Sequence, residues 1–233
     1  MIVYNGILID SVADVEIEDI KVSPIQYDPV ARQRSGRFGA DFVRMDGGTR
    51  QVTVSLALLD KNPMTRHAAF MALSAWAKTD REYMIELPLI DSQRVLCGVC
   101  TQKPEPSTRA WFENKLKYVF TCFNNPYWTS KGERSVACGT QFNANGDAPP
   151  LMRIERTLSG QATNQTYSNG TESMTFSTIP AGSMVIDLND QTARVNNNSI
   201  MQYYQQSGTF IVPRTGIQTI TGTGNVKFRE RWE

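Results

Sequence analysis

The residues that could do chemistry in this chain are few, and their spacing suits chemistry poorly. Four cysteines and one histidine, His67, occur in 233 residues. Cys97-Gly98-Val99-Cys100 has the CxxC spacing of zinc and redox sites. The residues around it read as a strand, however, where side chains three apart point to opposite faces and cannot easily grip one metal. Cys122 and Cys138 lack ligand spacing, so the cysteines read as small buried hydrophobes in a reducing compartment. His67 falls on the exposed face of a helix, and no Ser-His-Asp set assembles around it. Glycosidases need two carboxylates facing each other about 5–10 Å apart. Asp187 and Asp190 come nearest, but they sit at a strand end and turn, where capping is the ordinary role. Gly47-Gly48-Thr49-Arg50 is no phosphate loop, because the lysine and the following helix are missing. The expectation is a non-enzyme with no metal and no cofactor.

Residues suited to binding are easier to find. Ser23 to Thr49 reads as a long irregular segment with Pro24, Pro29, Gly36, Gly39, Gly47 and Gly48. A segment of that length in a compact domain usually has a job. One reading is a solvated loop. The other is an arm that orders against a neighbouring subunit, with Tyr27, Phe38 and Phe42 as anchors and Arg32, Arg34, Arg37 and Arg44 around them. Lys103 to Asn114, with Trp111 and Phe112, is a second projecting segment that either caps the core or meets a neighbour. Tyr167, Tyr203 and Tyr204 are candidate stacking residues for a partner or a glycan; the alternative is ordinary strand and turn aromatics.

The elements that must position these residues centre on Arg50 to Trp128. Val52, Val54, Leu56 and Leu58 share one face of a half-buried strand. Asn62-Pro63 then opens a helix, with Asn as N-cap and Pro at the first position, where no N–H is needed. The helix is expected to run to about Lys78. Ala69, Phe70, Leu73, Trp76 and Ala77 form its inner stripe, and Met64 and Met71 lie on its outer face, where exposed Met is either ordinary surface or a composition that suits a partner contact. Arg66 falls near the middle of the inner stripe, in the first turn, where its stem can snorkel. Strands follow over Tyr83–Leu87, Val95–Val99 and Leu116–Cys122, ending at the turn Asn124-Asn125-Pro126. Before this unit, Asn5-Gly6 marks a hairpin or bent strand, and Val15, Ile17 and Ile20 a kinked strand.

Past Trp128 the chain becomes rich in Asn, Gln, Thr, Ser and Gly. Thr129 to Pro150 reads as a linker with one strand at most. Short strands then recur over Leu151–Leu158, Ser173–Ile179, Ser183–Leu188, Thr192–Val195, Thr209–Val212, Gly216–Ile220 and Asn225–Trp232, separated by turn signals such as Ser168-Asn169-Gly170 and Asn196-Asn197-Asn198. That is the pattern of an antiparallel sandwich or jelly roll. Two domains are expected, 1–128 and 129–233, with 129–150 as linker.

The net charge is +1. Residues 1–126 carry 15 basic and 15 acidic side chains and the remainder 9 and 8, so neither part shows a footprint for nucleic acid or an anionic membrane. No apolar run is long enough to span a bilayer, and the N-terminus lacks a signal-peptide pattern, so folding in a cytoplasm is expected.

Four features in order resemble the distal tail protein (Dit) family of long-tailed, siphovirus-type phages and prophages. They are the strand Gly48-Thr49-Arg50-Gln51-Val52-Thr53-Val54 after a Gly-rich loop, the Pro63–Lys78 helix with Trp76, and the strand end Phe120-Thr121-Cys122-Phe123-Asn124-Asn125-Pro126-Tyr127. The fourth is Ala181-Gly182-Ser183-Met184-Val185-Ile186-Asp187, followed by Val195-Asn196-Asn197 and a chain end in Arg229-Glu230-Arg231-Trp232. The resemblance implies a mainly β protein, with an N-terminal tail-tube-like β-sandwich flanked by one helix and a C-terminal galectin-like or jelly-roll β-sandwich. It implies a virion tail-tip or baseplate hub protein, assembled in the bacterial host cytoplasm. There a homohexameric ring would join the major tail tube protein to the tail hub protein and leave a channel through which DNA passes without specific binding. Receptor-binding or baseplate proteins are further partners under this reading, and no membrane is. The alternative function is a carbohydrate-binding or adhesin module acting through the C-terminal sandwich.

Overall fold

A computed structural model describes residues 1–33, 40–105, 115–205 and 208–233; over 28–33 and 40–47 it describes the backbone. The chain divides into two compact units, one of Met1–Trp128 with Glu233 and one of Thr129–Trp232.

The first unit holds strands β1 (Val3–Tyr4), β2 (Ile7–Leu8), β3 (Val15–Val22), β4 (Gln26–Gln33) and β5 (Ala40–Leu58), helix α1 (Pro63–Trp76), and strands β6 (Tyr83–Glu86), β7 (Arg94–Gln102) and β8 (Lys115–Cys122). β1 and β2 form a hairpin whose turn places Asn5 and Gly6 at φ 54° and 72°, the conformation that favours an Asn-Gly pair. Pairing then runs β2-β1-β6-β7-β8-β5, all antiparallel. The far side of β5 takes β3 along Val52–Leu58 and β4 along 40–49. The kink read near Ile17 is a register shift between Ile17 and Asp19.

The segment 23–49 departs from the sequence reading. Much of it is not irregular: β4 and the first half of β5 pair as a two-stranded ribbon, and β5 is one strand of 19 residues. Glycines and a proline hid the alternation. Pro29 is tolerated because β4 pairs with β5 alone among the described residues, and an edge strand can spare one N–H. At Gly48 a side chain would collide with Ile25 and the Gln26 carbonyl, so glycine lets the two strands approach where the ribbon begins.

The core of the unit is aromatic. The Tyr4 ring lies 4.8 Å from Phe120 and 5.5 Å from Trp76, edge-on to the latter, and Trp76 lies 6.0 Å from Phe120. Trp76 Nε1 donates to the Ile7 carbonyl at 3.2 Å, and the Tyr4 hydroxyl donates to the Lys78 carbonyl at 3.1 Å. Phe70, Leu73 and Trp76 bury the inner stripe of α1 as its period requires. Asn62 caps the helix, its Oδ1 accepting from the Met64 N–H at 3.0 Å. The helix ends at Trp76 with Ala77 as C-cap, slightly earlier than the periodicity suggests.

Strand β9 (Trp128–Ser130) carries the chain into the second unit. That unit holds β10 (Arg134–Ala137), β11 (Gln141–Ala144), β12 (Ala148–Leu158), β13 (Ala162–Ser168), β14 (Ser173–Ile179), β15 (Gly182–Asp187), β16 (Thr192–Val195), β17 (Asn198–Ser199), β18 (Gly216–Thr219) and β19 (Asn225–Trp232). One sheet runs β17-β16-β15-β12-β19-β10; β13–β14 and β11–β18 are separate antiparallel pairs. Met152, Ile154, Met184, Ile186, Val226 and Phe228 from the large sheet meet Tyr167, Met174, Phe176 and Phe142 from the two pairs in one core. The expected linker 129–150 instead contains β10, β11 and the start of β12. Thr209–Val212 is not a strand; Phe210 and Ile211 are buried as part of the core.

Candidate functional site

The arm residues read from sequence fall on the ribbon. Register pairs Arg32 with Asp41, Ala31 with Phe42 and Val30 with Arg44, which brings Arg32, Phe42 and Arg44 into one short stretch of backbone. Arg34, Arg37 and Phe38 lie outside the described residues, as do Trp111 and Phe112. Tyr27 stands at the foot of the ribbon, half-buried, its hydroxyl donating to Glu233 Oε1 at 2.9 Å. Burial, with Tyr127 and Glu233 beside it, holds that phenol above its ordinary range. It borders a cleft of about 410 Å³ with Val22, Ile25, Ile90 and Trp128.

The outer face of α1 is a second surface. Met64 is 82% exposed and Met71 54%. Ala68 and Ala75 are also exposed, so Met64, Ala68, Met71 and Ala75 form a stripe at helical spacing. Arg66 is half-buried and its Nε donates to the Asp60 carbonyl, which settles how a cation is accommodated on the first turn. Lys103 Nζ donates to the Ser74 carbonyl at 2.6 Å, near the negative end of the helix.

Two turns in the first unit are pinned from one side. Glu82 accepts from the backbone N–H of Phe123 and Asn124 and from Asn124 Nδ2. Asp91 Oδ1 accepts from the N–H groups of Gln93 and Arg94, at 2.8 and 3.0 Å. The first of these turns therefore presents an exposed apolar side chain, Phe123, on a fixed backbone.

Cys100 and Cys122 are buried. Burial pushes the Cys122 thiol up to about 12, with Glu82 and Cys97 adding to it and Arg50 opposing. Among the described residues no three of His, Cys, Asp and Glu are placed to hold a metal ion. Asp187 Oδ1 accepts from the N–H groups of Asn189 and Asp190 at 3.0 and 3.1 Å, closing the turn after β15. The cleft beside it, about 370 Å³, is crossed by an ion-pair chain in which Arg153 reaches Glu133 at 2.7 Å and Glu155 at 2.6 Å, and Lys227 reaches Glu155 at 2.7 Å.

The candidate glycan contacts are placed in or against the core. Tyr167 is 0% exposed. Tyr204 packs 5.7 Å from Phe176 and 5.6 Å from Phe210 and donates to the Gly208 carbonyl at 2.8 Å. Tyr203 packs partly against the same core. The three do not share an exposed face, and ordinary strand and turn aromatics was the alternative open in sequence. Glu172 went unnoticed in the sequence. It accepts from Val212 N, Asn169 Nδ2 and Arg214 Nη2 and ties two loops together. Its only sequence signal was its place after Asn169-Gly170.

No family model matches this chain, and no curated protein matches its sequence. Solved structures do match. The crystal structure of the phage SPP1 Dit (gp 19.1) protein, described as a paradigm of the hub adsorption apparatus in phages infecting Gram-positive hosts, aligns with a TM-score of 0.74 and 14% identity. The alignment covers 100% of this chain and 98% of that one. Structures of the activated phage p2 baseplate with Sr and with Ca align at TM-scores of 0.49 and 0.48 with 10% and 9% identity, covering 94% of this chain and 91% of each of theirs. These last two are too distant to carry an argument. The first establishes the architecture: along its whole length, this chain has the fold of a phage distal tail (Dit) protein.

Proposed function

We propose that this chain is a structural component of the distal tail of a long-tailed phage, an adaptor whose copies close into a ring between the tail tube and the tail hub. The observation that carries the reading is the end-to-end match to the SPP1 Dit protein, both units included, rather than a match of one sandwich alone. Sandwich folds host many functions, but a shared order of a helix-flanked β unit and a second β unit over 233 residues is a narrower likeness.

The chemistry agrees. A channel that passes DNA without holding it needs a wall free of dense cationic charge, since each phosphate neutralised adds affinity through counterion release. Residues 1–126 carry equal numbers of basic and acidic side chains. A closed ring also needs two different complementary surfaces on each copy. The exposed apolar stripe on the outer face of α1 supports one such surface on the first unit. The glycan-binding alternative is less well supported, since of its stacking residues Tyr167 is fully buried and Tyr203 and Tyr204 are half-buried against the core.

The test is the native mass of the 26.1 kDa chain by light scattering, with negative-stain images. Six-fold rings with an open centre are expected. A strict monomer that remains so when mixed with tail tube and hub proteins overturns the reading.

A further inference from the structure

Asparagine followed by glycine is prone to a spontaneous reaction of its own backbone. The glycine amide nitrogen attacks the asparagine side-chain carbonyl carbon. A C–N bond forms, and the side-chain amide leaves as ammonia, taking the proton of the attacking nitrogen. Water then opens the succinimide ring at one of its two carbonyls, leaving aspartate or isoaspartate. Glycine favours the attack because it has no side chain to hinder it. The chain has three such pairs, Asn5-Gly6, Asn145-Gly146 and Asn169-Gly170. The reaction needs a side-chain amide and a following backbone N–H that are both free to move, and the three pairs differ in that respect.

Asn169 is held on every side. Its Oδ1 accepts from the N–H groups of Thr171 and Glu172 at 3.0 and 2.7 Å, and its Nδ2 donates to Glu172 Oε2 at 2.8 Å. Gly170 N, the attacking atom, donates to Ser168 Oγ at 3.1 Å. Asn145 is held too. Its Nδ2 donates to Glu230 Oε1 at 3.0 Å, its Oδ1 accepts from Asn143 Nδ2 at 2.9 Å, and Gly146 is bridged to Arg231. Asn5 is exposed, and among the described residues neither its side chain nor Gly6 N makes a hydrogen bond. No atom lies within 4 Å of where a Cβ on Gly6 would stand, so the peptide plane has room to turn. The hairpin around it is small, since β2 pairs with β1 through Ile7 and Leu8 alone.

The position of this turn gives the reaction a structural consequence. Tyr4, just before it, is fully buried with its ring 5.5 Å from Trp76. Ile7, just after it, offers the carbonyl that accepts from Trp76 Nε1. Isoaspartate routes the main chain through the former side chain and adds one backbone carbon between these two anchors. A two-residue turn has no slack to absorb it. We propose that Asn5 is a site of spontaneous deamidation, and that isoaspartate formed there loosens the seat of α1.

The test ages the full chain at mildly alkaline pH and maps its peptides by mass spectrometry, with a sample in urea as the unfolded reference. Asn5 in the native chain is expected to react within about threefold of its rate in urea, as frayed segments do. Asn145 and Asn169 are expected to slow by at least about twentyfold, since two or more hydrogen bonds must open first. The isoaspartate fraction, separated by chromatography, should melt at least about 4 °C lower in its first unit than the fresh chain. An aged Asn5→Gly chain, which accepts the same positive φ and has no amide to lose, should keep its midpoint. Asn5→Asp carries the new charge without the added carbon and should melt close to the wild type. An Asn5 slowed by folding as much as the other two overturns the site. Isoaspartate at Asn5 with an unchanged midpoint, or an Asn5→Asp chain that melts as low as the isoaspartate fraction, overturns the coupling to α1 through the added carbon.

Discussion

Replacing Trp76 by alanine separates the seat of α1 from its outer surface. The indole is almost fully buried, lies edge-on to Tyr4 and Tyr118 and near Phe120, and donates to the Ile7 carbonyl. Truncating a large buried aromatic costs about 3–5 kcal/mol. The Ile7 carbonyl also loses its indole donor, a hydrogen bond worth about 1 kcal/mol. For a unit of this size each kcal/mol lowers the melting midpoint by about 4 °C, so the transition of the first unit should fall by roughly 16–24 °C. Differential scanning calorimetry of the full chain is the assay, because two units need not melt as one. Trp76→Phe is the control: it keeps most of the ring volume, loses the donor, and should cost about 1–2 kcal/mol. A Trp76→Ala chain destabilised by less than about 1 kcal/mol would refute the claim that this ring seats the helix.

Three further outcomes follow from contacts already described. Burial works against ionisation of Glu172, but Val212 N, Asn169 and Arg214 outweigh it and hold its carboxyl below the ordinary range. A depressed folded pKa contributes stability above the unfolded value that is lost as pH falls through the folded one, so the midpoint advantage of wild type over Glu172→Gln should be present at neutral pH and vanish in acid. Burial raises the thiols of Cys122 and Cys100, so alkylation of the native chain at mildly alkaline pH, read by mass spectrometry, should spare both while urea exposes all four cysteines. Tyr204→Ala should destabilise the second unit by about 2–4 kcal/mol in calorimetry, as a core truncation does, with no glycan-array signal gained or lost.

What was legible in the sequence depended on whether the signal was local. Asn62-Pro63 announces a helix start by its own chemistry, and the cap is in place. Asn5-Gly6 announces its turn, and both residues have positive φ. Strands whose inner rows are apolar, such as Ser173–Ile179 with Met174 and Phe176 and Asn225–Trp232 with Val226 and Phe228, are also plain from alternation. β13 was not, because Ala162-Thr-Asn-Gln-Thr-Tyr-Ser commits only Tyr167 fully to the core and takes its strand character from pairing with β14. The ribbon was hidden for the same reason: β4 and β5 stabilise each other across a segment whose proline and glycines read, one by one, as breaks. Conversely, Phe210-Ile211-Val212 looks like a strand, yet Phe210 and Ile211 plug the core while Val212 N donates to Glu172. The candidate surfaces were partly visible. Met64 and Met71 could be placed on the outer helix face by period alone, whereas the stretch that gathers Arg32, Phe42 and Arg44 depends on the register of β4 with β5.

The unbroken run of β5 has a mechanical consequence. At about 3.3 Å per residue its 19 residues span roughly 60 Å, from the outer ribbon to the start of α1. Over Val52–Ala57 it is clamped on both sides, by β3 and by β8. A pull on the ribbon along this strand loads both ladders in shear, all their hydrogen bonds at once, rather than peeling them one after another. Force arriving at the ribbon is thus delivered to the sheet along one continuous strand, whose bulges opposite Gln26–Asp28 and Val30–Ala31 are the places where it can bend.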